Sequence, residues 1–218
     1  MKSVVGLHFD KVAKDYDSGK RKYSYYYESL KTLLGSYVPK DSNVYEVGCG
    51  TGNLVASLRP KIGYGMDISN QMIKIAKENH KHNKHITYST SWPNEKFDYI
   101  FMSDVVEHLE NPQDTLVKIS KLMGKKSIFI NTMANPLWEP LLMLWEKLGL
   151  KMPEGPHYRI KNKELTMMMK RVRLKIIKHD YKLLIPIKLP LVTEFVNRYL
   201  ERYFKKYAFI EYFVATKM

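Results

Sequence analysis

Cysteine is nearly absent from this 218-residue sequence, and the single Cys49 cannot form a disulfide within the chain. No set of cysteines and histidines has the spacing of a zinc site. These absences exclude a disulfide-stabilised secreted domain and favour a reducing, intracellular compartment. Cys49 lies among glycines, where a small side chain that fills a loop is expected and a nucleophile is the alternative.

Long apolar runs are also lacking, since no stretch approaches the roughly 18 residues that a membrane-spanning helix requires. Residues 1–10 have no apolar core of the kind that a signal peptide carries. We therefore expect a cytoplasmic protein that is soluble or peripheral to the inner face of the membrane. The hydrophobic content of 44% and charged content of 27% are those of a folded chain and exclude general disorder.

Acidic residues are in deficit, with 22 Asp and Glu against 36 Lys and Arg. Part of the excess lies between Arg159 and Lys188, where ten basic residues face only Glu164 and Asp180. A basic face of this kind suits anionic lipid headgroups, RNA or an anionic substrate, and a merely solvated surface is the alternative.

Glycine is concentrated where a strand is predicted to end. Residues 44–52 read Val-Tyr-Glu-Val-Gly-Cys-Gly-Thr-Gly, a buried strand that runs into Gly48, Gly50 and Gly52. Glycines let backbone amides approach a ligand beside the N-terminus of the next helix. Asp67 ends a second predicted strand 19 residues after Gly48, where a carboxylate can accept hydrogen bonds from ribose hydroxyls. The spacing predicts a site for a nucleotide-type cofactor.

This stretch resembles motif I of class I S-adenosylmethionine-dependent methyltransferases, Glu/Asp-x-Gly-x-Gly-x-Gly, with Glu46 as the acid. Dinucleotide-binding proteins instead place a third glycine where Asn53 stands. The resemblance implies S-adenosyl-L-methionine as cofactor, with Glu46 holding the methionine amino group through the loop and Asp67 holding the ribose.

The N-terminal pattern Phe-Asp-x-x-Ala-x-x-Tyr-Asp, residues 9–17, is similar to the lid of small-molecule methyltransferases, including members of quinone pathways. Tyr16 is then a candidate to cover the methionine end of the cofactor, and plain aromatic packing is the alternative. The family also places an adenine contact after strand three, where this sequence has Thr90-Ser91-Trp92. The resemblance assigns the cofactor to Tyr16, Glu46, Gly48, Cys49, Gly50, Gly52, Asp67, Ile68, Met72, Ser91, Trp92 and Ser103.

Alternating predicted strands and helices indicate a parallel sheet. Strands are expected from residue 44 and over 62–66, 86–89, 97–102, 127–131, 174–184 and 208–216; helices over 8–17, 24–35, 54–58, 70–79, 112–123, 140–149, 165–171 and 191–207. Gly124 is expected to end the fifth of these helices. We predict an α/β, Rossmann-like, doubly wound sheet of seven strands, mostly parallel with an antiparallel last strand, plus a helical substrate-side insertion.

Residues 1–218 are predicted to form a single domain, because repeats and low-complexity tracts are lacking. Its parts are an N-terminal cap over 1–38, a Rossmann-like core over 39–133 and 172–218, and an insertion over 134–171.

The segment after strand four, Asp-Val-Val-Glu-His-Leu, resembles motif IV of the ubiquinone-pathway O-methyltransferases. Ligands bind outside the carboxyl ends of strands in such sheets, so Asp104, Glu107 and His108 are expected near the site. The resemblance makes Glu107 and His108 catalytic candidates. Asp104 with these two could bind a divalent cation, and a structural loop is the alternative, so a metal remains undecided.

The insertion begins with an apolar helix over 140–149, for which a substrate lid, a dimer face and a membrane-touching element are all open. It then resembles the quinone O-methyltransferases in its Pro-x-Gly-x-His, which brings His157 to the acceptor side. An unperturbed imidazole titrates near pH ~6.5, which suits a general base, and a loop histidine that holds the turn is the alternative. The helix over 191–207 is amphipathic, and we expect its apolar side to pack on the core.

These features together predict an enzyme that transfers a methyl group from S-adenosyl-L-methionine to a small hydrophobic acceptor, quinone-like or lipid, at oxygen. An RNA acceptor bound by the basic C-terminal third is the first alternative, although no Asn-Pro-Pro-Tyr motif for base methylation follows strand four. A non-enzymatic cofactor-fold protein that binds membrane or nucleic acid is the second. The oligomeric state stays open.

Overall fold

A computed structural model describes residues 3–149, 155, 158 and 160–218 of the chain. Its strands form one sheet, and they begin and end close to the predicted apolar runs. They are β1 Asn43–Val47, β2 Ile62–Met66, β3 Ile86–Ser89, β4 Phe97–Ser103, β5 Met123–Ala134, β6 Leu174–Lys182 and β7 Ile210–Lys217.

The strand order is β3-β2-β1-β4-β5-β7-β6. Strands β1 to β5 pair in parallel, while β7 runs antiparallel to both β5 and β6. The order reverses between β1 and β4, which is the place where doubly wound sheets bind ligands at their carboxyl ends. The predicted fold class, with its antiparallel last strand, is confirmed.

The helices alternate with the strands, as parallel pairing requires. They are α1 Val4–Arg21, α2 Ser24–Gly35, α3 Asn53–Ser57, α4 Asn70–Asn79, α5 Pro112–Leu122, α6 Glu139–Lys147, α7 Asn162–Arg171, α8 Val192–Phe195 and α9 Glu201–Phe204. None of the described helices is long and apolar enough to cross a membrane.

Two apolar layers sandwich the sheet, because successive strand residues point to opposite faces. Helices α2, α3 and α4 cover one face, where Leu30 and Ile73 pack with Val44. Helices α5 and α7 cover the other face, where Leu116 and Met169 join the second cluster. The carboxyl ends of β1, β2 and β4 are thereby held in fixed positions for a site.

Strand β5 is longer than predicted. It starts at Met123, which takes extended dihedrals directly after α5, so the expectation that Gly124 ends this helix is wrong. Lys125 and Lys126 are exposed within the strand, which hid its first half from a search for apolar runs. Helix α1 is also longer than the predicted 8–17 and begins at a cap in which Ser3 accepts the Gly6 amide.

The connection from 191 to 207 is the main departure from expectation. The predicted single helix is instead α8, a π-helical turn over Val196–Leu200, α9 and a 3₁₀ turn over Lys205–Tyr207. Its apolar side chains are largely exposed, so the expected packing of this segment on the core is wrong.

Candidate functional site

The glycine-rich loop after β1 is the centre of the candidate site. Gly48, Gly50 and Gly52 all adopt the left-handed backbone conformation, with φ of 71°, 52° and 80°. A Cβ on Gly48 would lie 2.4 Å from a methyl carbon of Val105, so no other residue fits beside the β4 loop. The amides of Gly48 and Cys49 both donate to the carbonyl of Met66, which locks the loop to the end of β2.

Glu46 is buried near the carboxyl end of β1, two residues before Gly48. Its Oε2 accepts a hydrogen bond of 2.9 Å from the amide of Val55 in α3. Burial raises the pKa of Glu46 to about 8, against the opposing effects of the Val55 hydrogen bond and the Lys20 charge. The carboxyl group therefore ties the end of β1 to α3, and a positive charge brought near it would lower its pKa.

Asp67 lies at the carboxyl end of β2 and holds two backbone amides at once. Its Oδ2 accepts from Gly50 at 2.8 Å and its Oδ1 accepts from Ser69 at 2.9 Å. Burial raises the pKa of Asp67, and these two hydrogen bonds oppose the rise. Each oxygen keeps further acceptor capacity towards the cavity that Asp67 lines.

Helix α1 is fastened across the site by two aspartates of the N-terminal pattern. Asp10 accepts hydrogen bonds from the Ser69 hydroxyl and the Gln71 amide at the start of α4. Asp17 accepts from the Thr51 hydroxyl at 2.6 Å and also from the side chains of Asn53 and Asn79. Asp10 thus ties α1 to the start of α4, and Asp17 ties it to the glycine loop and the start of α3.

Tyr16 lies directly above the glycine loop, where a Cβ on Gly50 would come within 3.2 Å of its ring. Lys20, one helical turn later, places its ammonium 4.2 Å from the centre of the Tyr16 ring and 4.5 Å from that of Tyr27. Burial lowers the pKa of Lys20, but its neighbours Tyr16 and Tyr27, and to a smaller extent the Asp104 charge, raise it above its ordinary value. The Lys20 charge in turn opposes the rise that burial causes in the pKa of Asp67. A positive charge thus faces the carboxylates of the site.

Asp104 follows β4 in a left-handed conformation, with φ of 55°. The Tyr26 hydroxyl of α2 donates to both of its carboxylate oxygens at 2.8 Å. Burial and the Asp104 charge raise the pKa of Tyr26 well above its ordinary value, so the phenol keeps its proton and remains a donor. Beside it, the Ser103 hydroxyl is buried and has no hydrogen-bond partner among the described residues.

Glu107 and His108 form the short 3₁₀ turn Val106–His108, and both line the cavity. The His108 ring meets Phe9 of α1 edge-on, with centroids 5.5 Å apart. The described residues include no group of three or more His, Cys, Asp or Glu that could hold a metal ion. His157, the predicted general base, lies outside the described residues.

A cavity of about 1940 Å³ opens between the glycine loop, α1, α2 and α6. Most of the residues that were predicted for the site line it, namely Tyr16, Glu46, Gly48, Cys49, Gly50, Asp67, Ile68, Met72, Trp92, Ser103, Glu107 and His108. Ser91 is exposed and is not among the lining residues, whereas its neighbour Thr90 lines the cavity. Gly52 also lies outside the lining and instead makes room for the Tyr88 ring.

Sequence reasoning missed Lys20 and the role of Tyr26. Lys20 lies one helical turn after Tyr16 on the same face of α1, but the predicted helix ended at residue 17 and so did not include it. The Tyr26 contact joins residues 78 positions apart, and no local pattern indicates it.

Comparisons with known proteins agree with this geometry. A model of the methyltransferase domain family matches residues 20–179. An uncharacterized protein of Methanocaldococcus jannaschii, MJ1123, is 31% identical over 119 residues, which are 54% of this chain and 56% of that protein. The chain spans about half the length of the curated relatives it matches.

Solved structures share the fold at low identity. One is an S-adenosylmethionine-dependent methyltransferase of Thermotoga maritima, described as a possible histamine N-methyltransferase. It superimposes with a TM-score of 0.73 at 17% identity, and the match covers 98% of this chain and 100% of the Thermotoga chain. The N-methyltransferase NodS of Bradyrhizobium japonicum, solved with S-adenosyl-L-homocysteine, gives 0.67 at 13% identity and 99% of both chains.

Proposed function

This chain belongs to the methyltransferase domain family of class I S-adenosylmethionine-dependent enzymes. We propose that it methylates an oxygen atom of a small hydrophobic acceptor. S-adenosylmethionine is its cofactor. The acceptor class and the residue roles given below are our proposals.

The residues of the site fit this cofactor. Gly48 and Gly50, both in left-handed conformations, line the cavity next to the carboxylate of Asp67. We assign the ribose to Asp67, the adenine surroundings to Ile68, Met72 and Trp92, and the amino-acid end to the region of Glu46 and Tyr16. Buried carboxyl groups also suit a ligand that carries positive charge.

The bound cofactor supplies an activated methyl group on a sulfonium, so the protein needs mainly to align the acceptor and exclude water. Asp10 and Asp17 hold α1 over the loop, which removes solvent from that side of the cavity. The Tyr26 hydroxyl holds the Asp104 carboxylate in place at the carboxyl end of β4. The rigid loop and the fastened helix therefore supply the positioning.

The size and lining of the cavity support a bulky apolar acceptor. Its volume of about 1940 Å³ exceeds the ~300–1,000 Å³ typical of small-molecule sites, so the cofactor fills only part of it. Leu142, Met143 and Trp145 of α6 line the remainder, with Ile160 and Phe209. We assign residues 134–171 to the acceptor side on this basis.

Methylation at oxygen calls for a group that takes up the hydroxyl proton. His108 and Glu107 line the cavity beside Asp104, and an imidazole can accept a proton near neutral pH. We propose His108 as this base, with Glu107 next to it. His157 remains a second candidate from the sequence.

The single observation that carries the proposal is the left-handed glycine loop fastened to Asp67 at the point where the strand order reverses. The test is incubation of the purified protein with methyl-labelled S-adenosylmethionine and separate lipid, quinone and RNA extracts. We expect label in an organic-soluble product, and less of it with His108→Gln.

Label in RNA alone would replace the hydrophobic acceptor by the nucleic acid alternative. Label in a product whose new bond is to nitrogen or carbon would contradict oxygen as the acceptor atom.

A further inference from the structure

The exposed C-terminal connection carries an ordered pattern of apolar and basic side chains. Its apolar members recur at every fourth position and form what we call the apolar ridge: Leu191, Phe195, Tyr199, Tyr203 and Tyr207. Leu191 is 89% exposed and Tyr203 is 67% exposed. Large apolar side chains in a continuous exposed row usually mark a binding surface.

The backbone keeps the middle of this ridge, Phe195 and Tyr199, on one side. In an α-helix, residues four apart drift by about 40° at each step, because the helix has 3.6 residues per turn. The π-helical turn over Val196–Leu200 has a wider hydrogen-bond spacing, and its greater number of residues per turn offsets the drift. The Phe195 and Tyr199 rings accordingly stay together, with centroids 5.2 Å apart.

A second row of basic residues runs beside the ridge and consists of Arg198, Arg202 and Lys206. The Arg202 guanidinium lies 4.6 Å from the Tyr203 ring centre, and that of Arg198 lies 5.6 Å from the Tyr199 ring centre. Residues 188–207 contain five basic residues against Glu194 and Glu201. Glu201 accepts the Leu183 amide, so one of these two acids is engaged by the backbone.

The ridge adjoins further exposed apolar surface and the cavity itself. The Trp138 indole donates to the carbonyl of Tyr207, which joins the end of the ridge to the start of α6. Exposed aliphatic residues continue there, namely Leu137, Leu141, Leu144 and Leu148. Pro186 and Ile187, just before the ridge, line the cavity.

We propose that the apolar ridge docks this enzyme on an anionic lipid bilayer, from which a lipid-borne acceptor enters the cavity. The inference rests on the proposed function for the acceptor only. Aromatic rings and aliphatic tips at a membrane interface, with arginines beside them for the headgroups, are the chemistry of an interfacial anchor.

The other occupants fit less well. Single-stranded RNA is bound chiefly through stacking and charge. The aromatic residues of the ridge could stack on bases, but the exposed Leu191 and the adjoining Leu137, Leu144 and Leu148 could not, whereas a bilayer accommodates both kinds of side chain. A second copy of the chain placed across a two-fold axis would bring equal basic rows together. Leu191, at the start of the ridge, combines a φ of 63°, which is unfavourable for a leucine, with a side chain that is 89% exposed.

The test is flotation of the full chain with vesicles of phosphatidylcholine alone and of phosphatidylcholine mixed with phosphatidylglycerol. We expect binding to the anionic vesicles only. The triple variant Arg198→Gln, Arg202→Gln, Lys206→Gln should weaken it by about fivefold for each charge removed. The matched control Lys74→Gln, Lys77→Gln, Lys84→Gln removes equal charge from another surface and should bind much as the unaltered chain does.

The apolar part is tested by Leu191→Asn with Tyr203→Asn, against Ile62→Asn with Ile177→Asn, which replaces exposed apolar residues elsewhere. The ridge pair should lose anionic vesicle binding and the control pair should keep it. Equal losses in variant and control, binding to neutral vesicles alone, or a dimer that buries the ridge in sedimentation would overturn the proposal. Salt-sensitive RNA binding without vesicle binding would do the same.

Titration of each variant with S-adenosyl-L-homocysteine separates this inference from the proposed function. The ridge is remote in sequence from the glycine loop, and we expect unchanged affinity in all variants. Loss of vesicle binding with intact ligand binding locates the effect in docking. Absence of ligand binding by the unaltered chain would refute the proposed function, whatever the vesicles show.

Discussion

At the scale of single residues, we propose that Lys20 of helix α1 contacts the cofactor. Its ammonium faces the cavity between Tyr16 and Tyr27, and its charge acts on both Glu46 and Asp67. An ammonium in this place suits the carboxylate of the cofactor's amino-acid part. Charge-assisted hydrogen bonds contribute about 1.5–3 kcal/mol, or roughly 10- to 100-fold in affinity.

We therefore expect Lys20→Met to weaken S-adenosyl-L-homocysteine binding by about tenfold or more in calorimetry. Binding of 5′-methylthioadenosine, which lacks the amino-acid part, should change much less. Lys14→Met on the exposed side of the same helix is the matched control. Equal weakening of both ligands would show that Lys20 acts through the shape of the cavity instead.

Glu46 makes a prediction about pH. Burial raises the pKa of its carboxyl from 4.5 to about 8, so in the folded chain it keeps its proton where the unfolded chain has released it. The contribution of Glu46 to the free energy of unfolding therefore falls as the pH rises between these two values. The free energy of unfolding should fall by at most ~3–5 kcal/mol from this group.

The free energy of unfolding, measured by urea denaturation at several pH values from about 5 to about 8, checks this effect. The Glu46→Gln variant keeps an oxygen for the Val55 amide but cannot ionise, so its stability should decline less with pH than that of the unaltered chain. A parallel pH dependence in both proteins would show that other groups are responsible.

At the scale of secondary structure elements, α1 is held chiefly by its two aspartates. Asp17→Ala removes the hydrogen bonds from Thr51, Asn53 and Asn79, at about 1 kcal/mol each when the partners are partly exposed. Amide hydrogen exchange within α1 should then quicken by more than roughly tenfold. Asp15→Ala, an exposed carboxylate of the same helix, should leave exchange unchanged, and equal protection in both variants would contradict the clamp.

Most elements were predictable because their signals are local. Strands β2 and β3 and helices α2 and α4 follow from apolar periodicity, from glycine and serine caps, and from the breaks between them. Two features were not predictable: that β5 continues through Lys125 and Lys126, and that residues 191–207 form several short helical pieces. Both depend on neighbours that are distant in sequence. Trp138 and Asn135 bind the carbonyls at the end of that segment and set its position.

The part of the site that lies in one continuous stretch of sequence was predictable, and the contacts between separate elements were not. The glycines, Glu46 and Asp67 stand in a sequence pattern whose spacing is fixed by one strand, one loop and the next strand. The contacts of Tyr26 with Asp104 and of Asp10 with Ser69 connect separate elements, and only the assembled chain reveals them. His157 stays a prediction from the sequence.

At the scale of the whole molecule, the sheet, the cap and the cavity act as one ligand-binding unit. The strands present the loop and two carboxyl groups at one edge, α1 is hydrogen-bonded across them, and the cavity beyond has room for a second molecule.

Calorimetric titration of the purified chain with S-adenosylmethionine and with S-adenosyl-L-homocysteine tests the central claim most directly. We predict one site per chain for each compound, with an affinity reduced at least about tenfold by Asp67→Ala, since the amides of Gly50 in the loop and of Ser69 before α4 then lose their acceptor. No detectable binding of either compound, or binding that is indifferent to Asp67→Ala, would contradict the assignment of this site.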